Sequence, residues 1–410
     1  MISGTHRVLT TTTGLSGIKT STYTLTVEDL AGYSGFNNAI MVQKIGDQVG
    51  GLEVTDVTFT NNNGLAVIIN EGVVTLSSVT FSGNGATIDI LNNGTLNITT
   101  STIANATTTI EKGISGAGEI KIGAGAILIN GVNSTINQKD IEVSGTLTNN
   151  NGTNNAIVTS NKITINENAT LTSSANAINA TNGIANAGTI ILSGGINNND
   201  IIGTGLLFID MDKEVTNLSG TKISQKFIEV KENAKFTMND DDVETAVTGD
   251  IKGIQNNGDL EITGGTNKNI IGRGDAIKGN LIISGDVINE DGTKIDQEAI
   301  TVNNGASFTV NASNLASDNG TTNEGELIFT GGSNSNNING SGNLTTDGIV
   351  ENIVGKTISQ DTITINSEKS FITNSSDITT TNGIVNEGTV TFKGGTNANV
   401  ISGDNGCLEI

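Results

Sequence analysis

Between residues 52 and 103, apolar residues of this sequence recur at intervals of 22 positions. Three series run in step: Leu52, Val74 and Leu96; Val54, Leu76 and Ile98; and Phe59, Phe81 and Ile103. Within each interval, apolar and polar residues alternate with the period of two that is typical of β-strands. Repeats of roughly 20 to 50 residues with this patterning are typical of solenoids, in which a turn buries its apolar face only by stacking on the next.

A longer repeat follows in the second half of the chain. Strands with an alternating pattern begin at Ile163, Ile228, Ile300 and Ile363, at successive spacings of 65, 72 and 63. A Gly-x-x-Asn-x-Gly segment, a Gly-Gly pair and a Gly-x-Gly turn recur with them. The shortest unit divides into three rungs of about 21 residues, close to the rung length near the N-terminus. Glutamine also recurs, and we expect these amides to stack in a ladder: Gln138, Gln225, Gln297 and Gln360.

The patterns predict an all-β chain that folds as a right-handed parallel β-helix of about 21 to 22 residues per rung. Residues 1–50 fall outside the register and are expected to form an N-terminal cap or the edge of a longer array. Residues 51–162 are expected to form rungs with the spacing of 22. Residues 163–410 are expected to form repeating three-rung units, with the spacings of 63 to 72 given above, truncated at the C-terminus.

Composition narrows the class of partner. The chain has 20 basic and 42 acidic residues and a formal net charge of −22, which argues against binding to nucleic acid or anionic lipid. It contains 53 Gly and no Pro, as expected where most strands have neighbours on both sides. A single Cys excludes a disulfide framework. No apolar run is long enough to predict a transmembrane segment.

Two short segments carry a family resemblance. Thr58–Asn62 and Thr80–Asn84 resemble the Phe-x-x-Asn repeats of polymorphic outer-membrane proteins, and the wider pattern is similar to the passenger domains of type V secretion (autotransporter) proteins. The resemblance implies a β-helix at the bacterial cell surface or outside the cell that attaches to a host-cell protein or glycan receptor. The companion Gly-Gly-Ala-Ile motif is missing, with Gly194–Ile196 only a partial match, and no C-terminal membrane barrel is expected in what we interpret as a fragment.

Few residues suit catalysis. His6 is the only histidine, so histidine general-base, Ser-His-Asp and zinc chemistry are not expected. Glycan-cleaving β-helices need acids on the outward face of neighbouring rungs. Across the repeats, Glu261 corresponds to Ile191 and Ile328, so no such alignment is predicted. We therefore expect no enzymatic activity, no catalytic residues and no bound organic cofactor.

Two segments are candidate binding sites. Asp240, Asp241 and Asp242 lie where one unit is five residues longer than the others, and their carboxylates predict a calcium site, with a solvated acidic loop as the alternative. Arg273, Gly274 and Asp275 form an integrin-type tripeptide in a predicted turn, a short pattern that also arises by chance. Stacked threonine would indicate ice binding, but the runs Thr10–Thr13 and Thr99–Thr100 are out of register with each other.

Three functions remain open from the sequence. The first is a surface-displayed adhesin or its stalk. The second is a structural component of a surface layer or filament. The third is a glycan-cleaving β-helix enzyme. A stalk predicts a uniform exterior, an adhesive tip predicts clustered loops, and an enzyme predicts acids aligned across adjacent rungs.

Overall fold

A computed structural model describes residues 8–10, 16–20, 24–28, 32–34, 38–45, 47–60, 62, 64–100, 106–246, 253–272 and 277–410. The chain is an all-β solenoid of stacked parallel strands, with about 16 turns and 3% helix, so the predicted fold class is confirmed. It divides into two compact units, Met1–Phe208 (unit 1) and Ile209–Ile410 (unit 2). The predicted domain boundaries at residues 50 and 162 stay predictions.

Each turn of unit 1 contributes strands to three faces, called A, B and C. Face A contains Ser16–Thr20, Asn38–Ile45, Gly113–Ser115, Thr135–Gln138, Ile157–Thr159 and Ile178–Ala180. Face B contains Thr24–Glu28, Gly51–Thr55, Glu119–Ile122, Asp140–Val143, Ile163–Ile165, Ile184–Asn186 and Ile201–Ile202. The long strands Val67–Ser77 and Ile90–Ile98 span faces A and B.

Face C of unit 1 contains Val8–Thr10, Gly32–Ser34, Thr58–Thr60, Thr80–Ser82, Thr107–Ile110, Ile127–Asn130, Thr146–Asn149, Thr170–Ser173 and Thr189–Leu192, followed by Leu206–Ile209 at the unit boundary. The described residues of this unit include two further short strands: Gln48–Val49, which pairs antiparallel with Asn38–Ile45, and Gly195–Asn197. Strands before residue 50 pair in parallel with later ones, as Leu25 does with Leu52.

Unit 2 also has three faces, called D, E and F in chain order. Face D contains Phe227–Val230, Ile254–Asn256, Ile295–Gln297, Leu315–Ser317, Gly332–Asn334, Ile349–Asn352, Ser370–Thr373, Thr389–Phe392 and Cys407–Glu409. Face E contains Glu214–Asn217, Lys235–Met238, Asp259–Ile262, Asn280–Ile283, Ala299–Val302, Thr321–Asn323 and Ile338–Asn339.

Face F contains Ile223–Gln225, Val243–Thr245, Gly265–Asn267, Asp286–Asn289, Ser307–Val310, Glu326–Phe329, Asn343–Thr346 and Ile401–Ser402. The long strands Ile358–Ile365 and Ile378–Asn386 span faces E and F. In the described part of the chain, four single-turn 3-10 helices lie at corners: Ala175–Ala177, Asp240–Asp242, Ala312–Asn314 and Ser375–Asp377.

The core of each unit is a set of apolar columns, as the alternation of residues predicts. On face B, Leu52 is the register partner of Val74, which is the partner of Leu96, and all three are buried. On face C, the rings of Phe59 and Phe81 stack with centroids 5.0 Å apart. Ile103, the third member of that predicted series, lies outside the described residues. Each buried Leu or Ile side chain stabilises the fold by roughly 1.5 to 3 kcal/mol relative to an exposed one.

The long repeat of unit 2 is not a whole number of turns. Ile228 lies on face D, Ile300 on face E and Ile363 on face F, although the three occupy equivalent positions in the sequence. From Ile228, three complete turns lead through Ile254 and Ile271 to Ile295, and one further strand leads to Ile300. Each repeat therefore contains ten strands, one more than the predicted three rungs. Equivalent residues of successive repeats move round to the next face.

The recurring Asn, Gly and Gln markers meet at one corner of each repeat. The Asn256 side chain donates to Oε1 of Gln297 at 2.5 Å, and Gly272 lies between them on the intervening turn. Asn323 donates likewise to Gln360, 2.5 Å away, with Gly340 between them. The expected ladder of stacked Gln is therefore wrong: each described pair joins a Gln to an Asn. The intervening residue is Gly because a Cβ there would meet its neighbours.

Candidate functional site

The most regular exposed feature of unit 2 is a loop of the form Asn-x-x-Gly that recurs at residues 217–220, 289–292 and 352–355. In each loop the Asn side chain donates to the carbonyl oxygen four residues later, at 2.8, 2.8 and 2.6 Å. The Gly has a φ of +84°, +84° or +82°, a conformation that other residues adopt at a cost. The loop backbone is thus held by an Asn and a Gly in all three loops. In the second loop Asp291, between them, also accepts from the Gly292 amide over 3.0 Å and from the Asn314 side chain over 3.2 Å.

On the next turn of the solenoid, a single-turn 3-10 helix lies against each loop. Each turn is capped by an Asn whose side-chain oxygen accepts from the backbone two residues on, at 3.0 Å in all three: Asn239, Asn311 and Asn374. In the first pair, the Gly220 amide donates to Asp242 over 2.6 Å, and in the third the Gly355 amide donates to Asp377 over 2.8 Å. We call each loop with its 3-10 turn a corner frame.

The corner frames hold different tips. Leu218 and Ser219 form the first tip, Glu290 and Asp291 the second, and Ile353 and Val354 the third. Leu218 is 51% exposed and Val354 is 67% exposed, and both values are high for apolar side chains. Equivalent residues of successive repeats lie on successive faces. The first frame therefore lies at the corner between faces E and F, the second between F and D, and the third between D and E. Sequence reasoning missed these loops, although the Asn-x-x-Gly pattern recurs visibly at Asn217, Asn289 and Asn352.

The predicted calcium residues are the 3-10 turn of the first corner frame. Asp242 pairs with Lys222 at 2.8 Å, while Asp241 accepts from the Thr266 amide over 3.0 Å. Asp240 points inward, is 3% exposed, and has no hydrogen-bond partner for either carboxylate oxygen among the described residues. The three side chains take separate directions. In the part of the chain that the structure describes, no group of three or more His, Cys, Asp or Glu could hold a metal ion.

The sequence analysis assigned the five extra residues of this repeat to the wrong segment. The other three 3-10 turns begin at equivalent positions, so Asp240–Asp242 is a shared element and not an insertion. The five additional residues follow Thr245, where residues 247–252 lie outside the described residues. Arg273, Gly274 and Asp275, the predicted integrin-type tripeptide, also lie outside the described residues, and that site stays a prediction.

Burial and hydrogen bonding shift the pKa values of two carboxyl groups in the first corner frame. Desolvation, helped by the neighbouring charge of Asp241, raises the pKa of Asp240 to about 8, so this side chain is largely neutral at pH 7. Partial burial also acts to raise the pKa of Asp242. Hydrogen bonds from Lys222 and the Gly220 amide outweigh it, and the pKa of Asp242 is lowered overall.

Acids do align across turns on face B of unit 1. Glu119 is the register partner of Asp140, and Lys121 that of Glu142, beside a polar groove of about 360 Å³. Glu119 accepts from Thr95 and pairs with Lys121 at 3.0 Å. Partial burial opposes these bonds, but they lower the pKa of Glu119. The Asn161 amide donates to Asp140 at 2.7 Å.

The analysis of the sequence repeats missed this alignment because it compared positions that are equivalent between repeats but do not stack on each other in the structure. Glu261 lies on face E between Thr237 and Ile282, whereas Ile328 lies on face F. Since equivalent residues of successive repeats occupy different faces, only the register identifies true neighbours. The expectation that no acids align across adjacent rungs is therefore wrong for face B.

No protein family, curated protein or solved structure matches the chain. The resemblance to autotransporter passengers is therefore supported only as far as the β-solenoid fold. Among the residues described, there is no helix with the length and apolar character needed to span a membrane.

Proposed function

We propose that this chain is a surface-displayed attachment or display module, of the adhesin or stalk kind, and that it is not a catalyst. The observation that carries the proposal is the corner frame. A backbone held by one Asn and one Gly presents two exposed residues, and the tip residues differ in every repeat of unit 2. Loops on a rigid scaffold are where proteins commonly place binding residues.

The chemistry of the tips supports attachment to a protein or glycan on another cell. The exposed apolar side chains of Leu218, Ile353 and Val354 are suited to desolvated contacts, while Glu290 and Asp291 are suited to polar or cationic partners. The net charge of −22 keeps a repetitive β-protein soluble at the cell surface. The bacterial cell surface or the extracellular space is the location we propose.

The test is a binding screen of the full chain on glycan arrays and on extracellular-matrix proteins, with and without added calcium. Hits are then repeated with three paired variants, L218A/S219A, E290A/D291A and I353A/V354A, which leave the Asn and Gly of each frame in place. The control is T345A, an outward position on face F. We expect at least one pair, but not the control, to abolish a specific hit.

Two results would contradict the role proposed for the corner frames. The first is a specific hit that survives all three paired substitutions, which would place the binding surface elsewhere on the chain. The second is no binding at all, together with ordered polymers by electron microscopy, which would favour the surface-layer or filament alternative. Dependence of a hit on calcium would be traced with D241A and D242A, because these two carboxylates make contacts within and beside the first corner frame, whereas Asp240 points inward.

A glycan-cleaving enzyme is a second candidate, favoured by the stacked pair of Glu119 and Asp140 beside the face B groove. Two carboxylates flanking a groove are the minimum for acid-catalysed glycoside hydrolysis. Both side chains are engaged in bonds with Thr95, Lys121 and Asn161, which favours a structural role. Release of reducing sugars that is lost in E119Q and in D140N would establish the enzyme, and no release from any polysaccharide would remove it.

A further inference from the structure

Face C of unit 1 carries a two-row array of β-branched side chains. The outward positions of five consecutive strands, from Thr107–Ile110 to Thr189–Leu192, are occupied only by Thr or Ile. The four intervening strand pairs are parallel and in continuous register, with no bulge. Thr146 and Thr148 therefore stand directly beside Thr170 and Thr172 on the next turn. Sequence analysis asked for regular Thr-x-Thr on one face but considered only the runs at 10–13 and 99–100. It missed this array, in which three of the five strands carry an outward Thr-x-Thr pair.

The array is rigid. Inward residues of the same strands, such as Leu147 and Leu171, are fully buried and fix the backbone from beneath. Each outward side chain is only partly exposed because its neighbours on adjacent turns flank it. A β-branched side chain in this setting has few rotamers, so its hydroxyl and methyl groups keep their positions.

The array is also uncharged, in contrast to the rest of the molecule. Its five strands contain no Asp, Glu, Lys or Arg, although the whole chain has a net charge of −22. On face B, the strands Glu119–Ile122 and Asp140–Val143 carry outward acids and lysine. An uncharged face excludes partners held by ion pairs, and it avoids the ordered ionic hydration that charges impose.

The hydroxyl groups of the four threonines on the two adjacent Thr-x-Thr strands remain available to water. Within the described part of unit 1, those of Thr146, Thr148, Thr170 and Thr172 make no hydrogen bond to protein atoms. Adjacent turns place equivalent hydroxyls about 4.8 Å apart. In a tetrahedral network with O···O hydrogen bonds of about 2.75 Å, second-neighbour oxygens lie about 4.5 Å apart. The rows thus nearly match the spacing of ordered water.

The area of the array argues against a protein partner. Five strands at about 4.8 Å, each about 13 Å long, cover about 300 Å². Stable protein interfaces need about 800 Å² from each partner. A small periodic array is instead suited to a surface that is itself periodic. We infer that face C between Thr107 and Ile191 binds ice through ordered water held by its threonine rows, independently of the attachment function proposed above.

The test uses the full chain in two assays: the shape and growth of a single ice crystal held just below its melting point, and partition of the protein into slowly growing ice. We expect the wild type to facet the crystal and to enter the ice. The substitutions T148Y and T172Y place a bulky ring within the array and should abolish both effects. The matched control is T164Y, which lies on face B of the turn that contains Thr172. It should retain both ice shaping and entry into ice.

Three outcomes overturn the inference. The wild type leaves ice crystals as rounded as an inert protein does, or T164Y loses activity together with the face C variants while circular dichroism shows all of them folded. Alternatively, the wild type binds crystalline chitin or cellulose particles but not ice, which would assign the array to a solid polysaccharide.

Discussion

Replacing Asp240 with Ala should stabilise this protein at neutral pH. Asp240 begins the 3-10 turn of the first corner frame, where the equivalent residues are Ala175, Ala312 and Ser375. Two of the four repeats therefore already carry the proposed residue in the same backbone conformation. The substitution removes a carboxyl group that is 3% exposed and has no partner among the described residues.

The magnitude follows from linkage. In the unfolded chain Asp has a pKa of about 3.9, whereas burial and the charge of Asp241 raise the pKa of Asp240 to about 8 in the folded state. The folded protein therefore holds a proton that the unfolded chain loses as the pH rises through about 4. Between pH 4 and 8 this group lowers the free energy of unfolding by about 1.4 kcal/mol per pH unit. At pH 7 the accumulated loss is about 4 kcal/mol, which sets the scale of the gain in D240A.

The assay is urea denaturation of the full chain and of D240A at several pH values from 4 to 9, followed by circular dichroism, with hydrogen exchange of the segment around residues 236–245 as a local readout. We expect D240A to be at least as stable as the wild type at pH 4, and its advantage to grow progressively up to about pH 8. Because solenoids unfold turn by turn, the exchange measurement locates the gain at this corner.

D242A is the contrasting variant, since the pKa of Asp242 is lowered overall by Lys222 and the Gly220 amide. A group with a lowered pKa stabilises the folded state above its unfolded pKa and loses that contribution as the pH falls through the folded pKa. D242A should therefore be less stable than the wild type at pH 7. If D240A proves no more stable than the wild type at pH 7 and shows the same pH profile, then Asp240 is not a buried, neutral carboxyl.

Two further predictions concern buried polar groups and corner glycines. Thr321→Val should raise the free energy of unfolding by about 1 to 3 kcal/mol in urea titrations, because the Thr321 hydroxyl is buried without a partner among the described residues. Thr245→Val, which removes a 2.8 Å bond to an Asn on the next turn, should lower it, and a gain there would contradict the argument. Gly340→Ala should lower the melting temperature more than Gly355→Ala. Both residues have positive φ, but only at Gly340 would a Cβ collide with neighbouring backbone, so equal losses would refute the steric reason.

The apolar columns could be predicted from the sequence because alternation and a period of 22 are local properties. Leu52, Val74 and Leu96 stack as their spacing requires. The arrangement of the long repeats could not be predicted in the same way. Ile228, Ile300 and Ile363 are equivalent in sequence, but turns of this unit differ in length: the turn from Thr321 to its register partner Ile338 is much shorter than the turn from Phe236 to Leu260. Corner lengths accumulate, so the face that a residue reaches depends on every turn before it.

The candidate sites illustrate the same limit. The three aspartates at 240–242 drew attention as a cluster of oxygen ligands, but nothing in the run of three shows which side chain points inward. Comparison with Ala175 and Ala312 would have shown it, because an inward corner position is occupied by small residues in the other repeats. The pairing of Gln297 with Asn256 was hidden for a different reason: the two residues are far apart in the sequence and lie two turns from each other.

A repeat of ten strands has a consequence for how such a gene can change. Recombination between two repeats of unit 2 would delete or duplicate one whole repeat, and the strands on either side of the junction would still be joined in phase. Everything beyond the junction would turn by one third of a revolution relative to what precedes it. Variation in the number of repeats would therefore change the direction in which the loops beyond the junction face. New surface arrangements would arise without any new residue in the core.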